Sequence, residues 1–301
     1  MGPRTNRFPL YAAGVTAVLA AALAGCASAS SGTGAAASTS AGASGTAAAA
    51  NPTDVVKLAA KTTGGANTFT GTMSVQTTAK AGTSSSGDLT MAASMAEQLH
   101  PSLLAEIKIS SLSSGGTTLP GGMTELITPS TLYMNWSVLT QELHTGKPWL
   151  AIPLSTLGKS TGIDLTQLLN QAASESPLNQ SDMLAGATGV REVGKSTIGG
   201  VPVTEYQGTL SIDKGLQQLP AANRAAVQKQ VSAAGFTTGT FTVWIDGSNT
   251  MRKVVMTEQG RALTEVVSMT ITSINQPVDI TVPAASQTTA LPSADLSGLG
   301  S

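Results

Sequence analysis

Leu23, Ala24, Gly25 and Cys26 form the one stretch of this chain whose residue types and order prescribe a covalent reaction. A cysteine placed directly after an apolar run that ends in small residues is where a bacterial precursor is cut and its thiol acylated. Arg4 and Arg7 precede that run, which extends from Pro9 to Leu23 and is too short to span a bilayer comfortably. Residues 1–25 therefore read as a removable leader, and Cys26 as the lipid anchor. Cys26 is also the only cysteine in 301 residues, so a disulfide framework is excluded and the thiol is left for a thioether. Two or more acyl chains, at about 0.8 kcal/mol per buried methylene, hold a protein stably on a membrane. The expected location is the extracytoplasmic face of a cell membrane.

Other chemistry-bearing residues are sparse. His100 and His144 stand in polar, loop-like settings, and two histidines with an acylated cysteine cannot supply the ligands of a zinc site. No phosphate-binding loop, nucleophile elbow or paired dinucleotide glycines occur, so the chain is read as no enzyme, with no cofactor and no metal. Asp246-Gly247-Ser248-Asn249 reads as a hairpin turn, since the further acids of a calcium loop are missing. Asn135-Trp136-Ser137 and Asn179-Gln180-Ser181 match a glycosylation pattern that carries no weight in a bacterial chain. Glu265 shares the parity of Leu263, Val267, Met269 and Ile271; it is either an interior carboxylate meeting Arg252, Lys253 or a polar head group, or a solvated strand start. Net charge is −1 with 11% charged residues and no basic cluster, which excludes nucleic-acid binding.

The elements that would position these residues follow from periodicity. Residues 27–50 contain only Ala, Ser, Gly and Thr up to the start of the folded region, a flexible tether reaching roughly 25 to 30 Å. Residues 51–287 then form one domain, followed by a tail expected to be disordered over 288–301. Pro52, Thr53 and Asp54 start a short helix that Gly64-Gly65 stops. Strict alternation marks strands at Phe69, Gly71, Met73 and Val75, at Leu89, Met91, Ala93 and Met95, and at Leu103, Ala105, Ile107 and Ile109. A strand pair broken at Pro129 spans 125–134, and an extended piece with Trp149 spans 147–154. Helices are expected from Asp164 to Ala172, from Pro177 to Ala185, and from Leu216 to Ala234 with Gly235 as its cap. A hairpin turns at Gly199-Gly200, a second at Asp246-Gly247, and Leu263 to Ile271 forms the last long strand.

This pattern gives an α+β fold: a large curved antiparallel sheet, a half-open β-barrel, with helices covering its concave face. Aromatics are only 3% while there are ten Met residues, several at inward parity. Flexible, polarizable Met adapts to variable alkyl partners. The candidate cavity-lining residues are Phe69, Met73, Val75, Met91, Met95, Ile107, Ile109, Tyr206, Leu210, Phe241, Val243, Val267 and Met269.

Several segments together resemble the LppX/LprAFG family of actinobacterial lipoproteins, which share the fold of the LolA/LolB lipoprotein carriers. They are the Thr68-Phe69-Thr70-Gly71 strand, Thr131-Leu132-Tyr133-Met134 before Gly146-Lys147-Pro148-Trp149, and Gly199-Gly200-Val201-Pro202 with Thr204-Glu205-Tyr206. Val243-Trp244-Ile245-Asp246 with Arg252-Lys253-Val254, and Pro277 to Pro283, complete the set. The resemblance implies a LolA-like lipid-binding domain that takes acyl chains of a cell-envelope lipid or lipoglycan for transfer, with no catalytic residues; a membrane transporter is one further partner that such a carrier could serve. The Ser/Gly/Thr-rich loops at 82–87 and 113–122 depart from it and would alter the mouth of a cavity. The rival reading is a structural or regulatory lipoprotein with a packed core, acting through a membrane protein partner. A hydrolase of envelope polymers would need paired acids or a Ser/His arrangement that the chain does not offer.

Overall fold

In the computed structural model the chain is described over residues 51–80, 88–99, 101–119, 122–156, 187–211 and 238–291, with single positions between 217 and 236. The helix α1 (Pro52–Gly64) starts where the Asn51 side chain accepts the Thr53 N–H at 3.0 Å, and Pro52 sits in the first turn, where no N–H is needed. Asp54 in the first turn and Lys61 in the last complement the helix dipole. Val56, Ala59 and Ala60 are buried, which fixes the face that packs on the sheet.

The strands follow in sequence. They are β1 (Thr68–Ala79), β2 (Leu89–Gln98), β3 (Leu104–Ser114), β4 (Thr117–Thr118), β5 (Met123–Ile127), β6 (Thr131–Asn135) and β7 (Trp149–Pro153). After 157–186 come β8 (Thr188–Ile198), β9 (Val201–Ser211), β10 (Thr238–Asp246), β11 (Met251–Gln259), β12 (Leu263–Ile274) and β13 (Thr288–Ala290). All belong to one large, open, curved sheet in the order β13-β7-β6-β5-β3-β2-β1-β12-β11-β10-β9-β8, with β4 beside β3. Every pairing is antiparallel except that of β13 with β7. The expected meander of β1, β2 and β3 is present, and β12 closes back on β1, so the first and last long strands lie side by side in mid-sheet.

Turn chemistry explains the hairpins. Gly199 and Gly200 adopt φ of 56° and 82°, the left-handed pair that joins β8 to β9. At the β10–β11 turn Asn249 has φ 56°, and the Asp246 carboxylate accepts the N–H groups of Ser248 and Thr250. The turn reading of Asp246-Gly247-Ser248-Asn249 thus holds.

Three expectations need correction. The tail does not begin at 288: Thr288–Ala290 adds a parallel edge strand to β7, and Leu291 is buried in the core. Part of the loop expected over 113–122 is strand, because Ser113 and Ser114 end β3 and pair with β4 across the Gly115-Gly116 turn. A short helix α2 (Ser137–Glu142), absent from the sequence reading, follows β6 in the chain and buries Leu139 in the larger core. The helices expected at 164–172 and 177–185, the tether 27–50, Cys26 and the 82–87 loop lie outside the described residues. Of the third helix, residues 217, 224, 225, 228 and 232 are helical, and Gly235 has the φ of 74° suited to a C-terminal cap.

Alternation sends one set of side chains to the inner face, where they gather into two cores. The larger joins β1, β2, β3, β5, β6, β7, α2 and Leu291. The smaller joins α1 with Tyr206, Leu210, Phe241, Val243, Ile245 and Met251 of β9 to β11.

Candidate binding site on the inner face

The two cores do not fuse. Between them run β11 and β12, whose inner positions are set by register: Val254 stands opposite Met269, Met256 opposite Val267, and Glu258 opposite Glu265. Val267 and Met269 pack against the larger core and Val254 and Met256 against the smaller, and all four remain partly exposed. They form an apolar seam along the middle of the inner face. The Glu258/Glu265 pair bounds one end.

The thirteen lining candidates divide across this arrangement. Met73, Val75, Met91, Met95, Ile107 and Ile109 are buried in the larger core, and Tyr206, Leu210, Phe241 and Val243 in the smaller. Phe69, Val267 and Met269 are partly exposed at the edge of the larger core. The chain thus separates residues grouped by parity alone into two packed sets and a seam.

Carboxylates of β2, β5, β11 and β12 share the inner face with these apolar side chains. Glu125 lies on β5 between Ile107 of β3 and Met134 of β6; it is 0% exposed, and neither carboxyl oxygen has a hydrogen-bonding partner. Burial pushes its pKa from the ordinary 4.5 up to about 8, so the group is largely uncharged at neutral pH. Glu97 sits opposite Phe69 and Ala105, and the protein packed around its carboxyl raises its pKa to about 7. Strand spacing puts Glu97 and Glu125 about 12 Å apart, on either side of β3. Burial, and then the charge of Glu265, raise Glu258 to about 7. Burial also raises Glu265, opposed by a hydrogen bond from the Thr77 side chain.

Glu265 was the one inward carboxylate singled out from the sequence, and the structure places it on the inner face opposite Thr77 and Glu258. The partners suggested for it, Arg252 and Lys253, point elsewhere. The Arg252 Nε donates to Asp246 at 2.6 Å, and the Lys253 ammonium lies 4.9 Å from the Trp244 ring centroid. Burial opposes ionisation of Asp246, yet the Thr250 N–H, the Arg252 guanidinium and the Ser248 N–H outweigh it and hold its pKa below the ordinary range. Tyr206 is shifted upward by burial and by the nearby charge of Glu192. His144 is exposed with φ 51°, and His100 lies outside the described residues. Among the described residues no group of three or more His, Cys, Asp or Glu could hold a metal.

The sequence reading missed Glu97, Glu125 and Glu258. The signal was available: Glu97 continues the parity of Met91, Ala93 and Met95, Glu125 that of Met123 and Ile127, and Glu258 that of Val254 and Met256. Such a face can sequester alkyl chains and offer uncharged carboxyls to a polar group.

No protein-family model matches the chain. An uncharacterized 31.2 kDa protein of Streptomyces griseus, from the rplA-rplJ intergenic region, is 30% identical over 149 residues, 48% of each chain. The match spans about half the length of that curated relative. Among solved structures the chain is similar to actinobacterial lipoproteins. LppX of Mycobacterium tuberculosis aligns with a TM-score of 0.44 at 17% identity, covering 76% of this chain and 98% of that one. LprF of Mycobacterium bovis aligns with a TM-score of 0.48 at 13% identity, covering 78% and 97%. A LolA superfamily protein of Nitrosomonas europaea aligns with a TM-score of 0.29 at 10% identity, covering 77% and 96%. The group named from the sequence motifs is represented among these structures.

Proposed function

We propose that this protein is a non-enzymatic, membrane-anchored lipoprotein that binds or transports acyl-chain lipids or lipoglycans of the cell envelope on the inner face of its sheet. The observation that carries this reading is the seam of Val254, Met256, Val267 and Met269, an apolar strip left partly exposed between two closed cores. Apolar surface in such a position gains by covering itself, at about 25 cal/mol per Å² of area removed from water. Alkyl chains supply that cover without demanding directional contacts, and Met256 and Met269 adapt to their shape. The lipobox at Cys26 supports a place on the extracytoplasmic membrane face, and the tether of about 25 residues limits its reach to roughly 25 to 30 Å. A membrane transporter beside the anchor is then the natural recipient or donor of cargo.

The test uses the full chain carrying Cys26→Ala, which lacks the thiol to be acylated. Addition of a fluorescent fatty acyl probe should give saturable uptake, and native material should release lipid to mass spectrometry. Absence of both refutes the carrier.

The deep burial of Met73, Val75, Ile107 and Val243 favours a second reading, a packed lipoprotein acting through a membrane protein. Its sign is crosslinking of the anchored protein to a membrane protein without any lipid uptake.

A further inference from the structure

The apolar seam runs directly into two acids. Glu258 keeps the inward parity of Val254 and Met256 on β11, Glu265 that of Val267 and Met269 on β12, and the register sets the two side chains opposite each other. Glu258 lies four positions beyond Val254, about 13 Å at the rise of a strand, so a long acyl chain laid along the seam passes Met256 and comes to rest over the pair. Both glutamates are partly exposed, as the four apolar residues are, so water reaches them while the seam is bare.

Their neighbours treat the two acids differently. Burial disfavours the charge of Glu265, but the Thr77 hydroxyl of β1 donates to it and favours its ionised form. On the other side Glu258 meets Gly239 of β10, which brings no side chain; a Cβ built there would stand 3.4 Å from the Glu258 Cγ. Burial first, and the charge of Glu265 second, favour the uncharged form of Glu258. Among the described residues, the other charged groups near this end of the sheet are Lys80, Asp88 and Arg261. The Lys80 ammonium donates to the Gly260 carbonyl at 2.7 Å, Asp88 accepts the Ala79 N–H at 2.9 Å, and Arg261 lies against Gly235.

A covering chain shifts this balance. It removes water that stabilises the Glu258 carboxylate and supplies no donor in its place, so the uncharged form is favoured more strongly in the complex than in the free protein. A group that holds its proton more tightly in the complex takes one up on binding, and affinity then falls as pH rises through its free-protein pKa. We propose that the seam is a proton-coupled acyl site, in which Glu258 takes a proton from solvent as the chain is laid down and returns it when the chain leaves. This rests on the carrier reading and adds the regulation of its site: cargo loads where protons are abundant and is released where they are scarce.

The test is a binding titration at two pH values. The full chain carrying Cys26→Ala is titrated with a fluorescent acyl ester that has no ionisable group, at pH 6.5 and pH 8.5, on either side of the Glu258 pKa of about 7. A rise of one further pKa unit on binding makes the parent bind about five- to tenfold more weakly at pH 8.5. Glu258→Gln and Glu258→Met, uncharged at both values, should each bind with affinities that agree to within about twofold between them. Glu97 and Glu125 remain in these variants, so a pH dependence that arises from them, or from loss of the fold, persists there. Equal affinity of the parent at the two pH values, or a persisting dependence in either variant, overturns the inference while leaving the carrier standing. If one variant does not fold, the other decides by the same criterion. No uptake at either pH by any form refutes the carrier reading, and the inference falls with it.

Discussion

Glu258 of β11 and Glu265 of β12 stand directly opposite each other on the inner face, and the register that pairs them also pairs Met256 with Val267 and Val254 with Met269. Two acids in cross-strand contact oppose ionisation in each other, as burial already does. A group with a folded pKa above its unfolded value holds its proton longer in the native state. For an acid the native state then binds more protons than the unfolded chain, and stability falls as pH rises between the two values.

Replacement of one acid tests the pair. Glu265→Gln should bring the Glu258 pKa down from about 7 and raise stability at pH 8 by about 0.5 to 1 kcal/mol, the usual cost of like charges directly opposite. Titration of Glu258 by NMR and urea melts at pH 5 and pH 8 read both effects. A Glu258 pKa that stays put shows that burial alone sets it.

Glu125 predicts a steeper dependence. Its shift from 4.5 to about 8 makes its contribution greatest below pH 4.5, falling steadily as pH rises to about 8. At 1.36 kcal/mol per pKa unit the change is on the order of 4 to 5 kcal/mol across that window. Glu125→Gln should flatten the curve, and Glu125→Leu should be more stable than the parent at pH 8 by about 1 to 3 kcal/mol, because an orphaned polar group is removed. A parent whose melting temperature does not move between pH 5 and pH 8 contradicts this.

The β10–β11 turn behaves in the opposite sense. Asp246 is held ionised by the Thr250 and Ser248 N–H groups and Arg252 against its own burial, so its stabilisation is present above the unfolded pKa and is lost as pH falls through the folded one. Asp246→Ala should cost about 2 to 3 kcal/mol at pH 7, the range for a hydrogen-bonded, paired charge. Denaturant melts of the variant at pH 7 and pH 3 should differ from the parent far more at the higher pH.

Gly71 carries a steric prediction. An added Cβ would lie 2.5 Å from the Thr270 carbonyl oxygen, where β1 and β12 shift register beside Thr70. Backbone cannot yield as a flexible side chain does, so Gly71→Ala should destabilise the fold by about 1 to 3 kcal/mol. A variant as stable as the parent in urea shows that the strands can part here without loss.

The seam itself is open to a filling substitution. Met256→Trp should block acyl probe uptake by at least about tenfold, since about 0.8 kcal/mol is lost per methylene excluded and two suffice. Its melting temperature should stay near that of the parent, because the position is partly exposed. Undiminished uptake places the ligand elsewhere.

Amino-acid order alone determined what depends on local rules. Alternation marked β1, β2 and β3, and Gly199-Gly200 and Asp246-Gly247 marked hairpins. It could not show β13, because three Thr and Ala residues become a strand only when β7 offers an edge to pair with. Nor could parity say which inward side chains would be sealed and which left partly open. That depends on β12 returning to pair with β1, a contact between residues some two hundred positions apart that fixes Val267 opposite Val75 and Glu265 opposite Thr77. The same pairing of distant strands sets β11 and β12 between the two cores. Side-chain parity is a property of the strand, whereas exposure, pairing and pKa are properties of what tertiary contact lays against it.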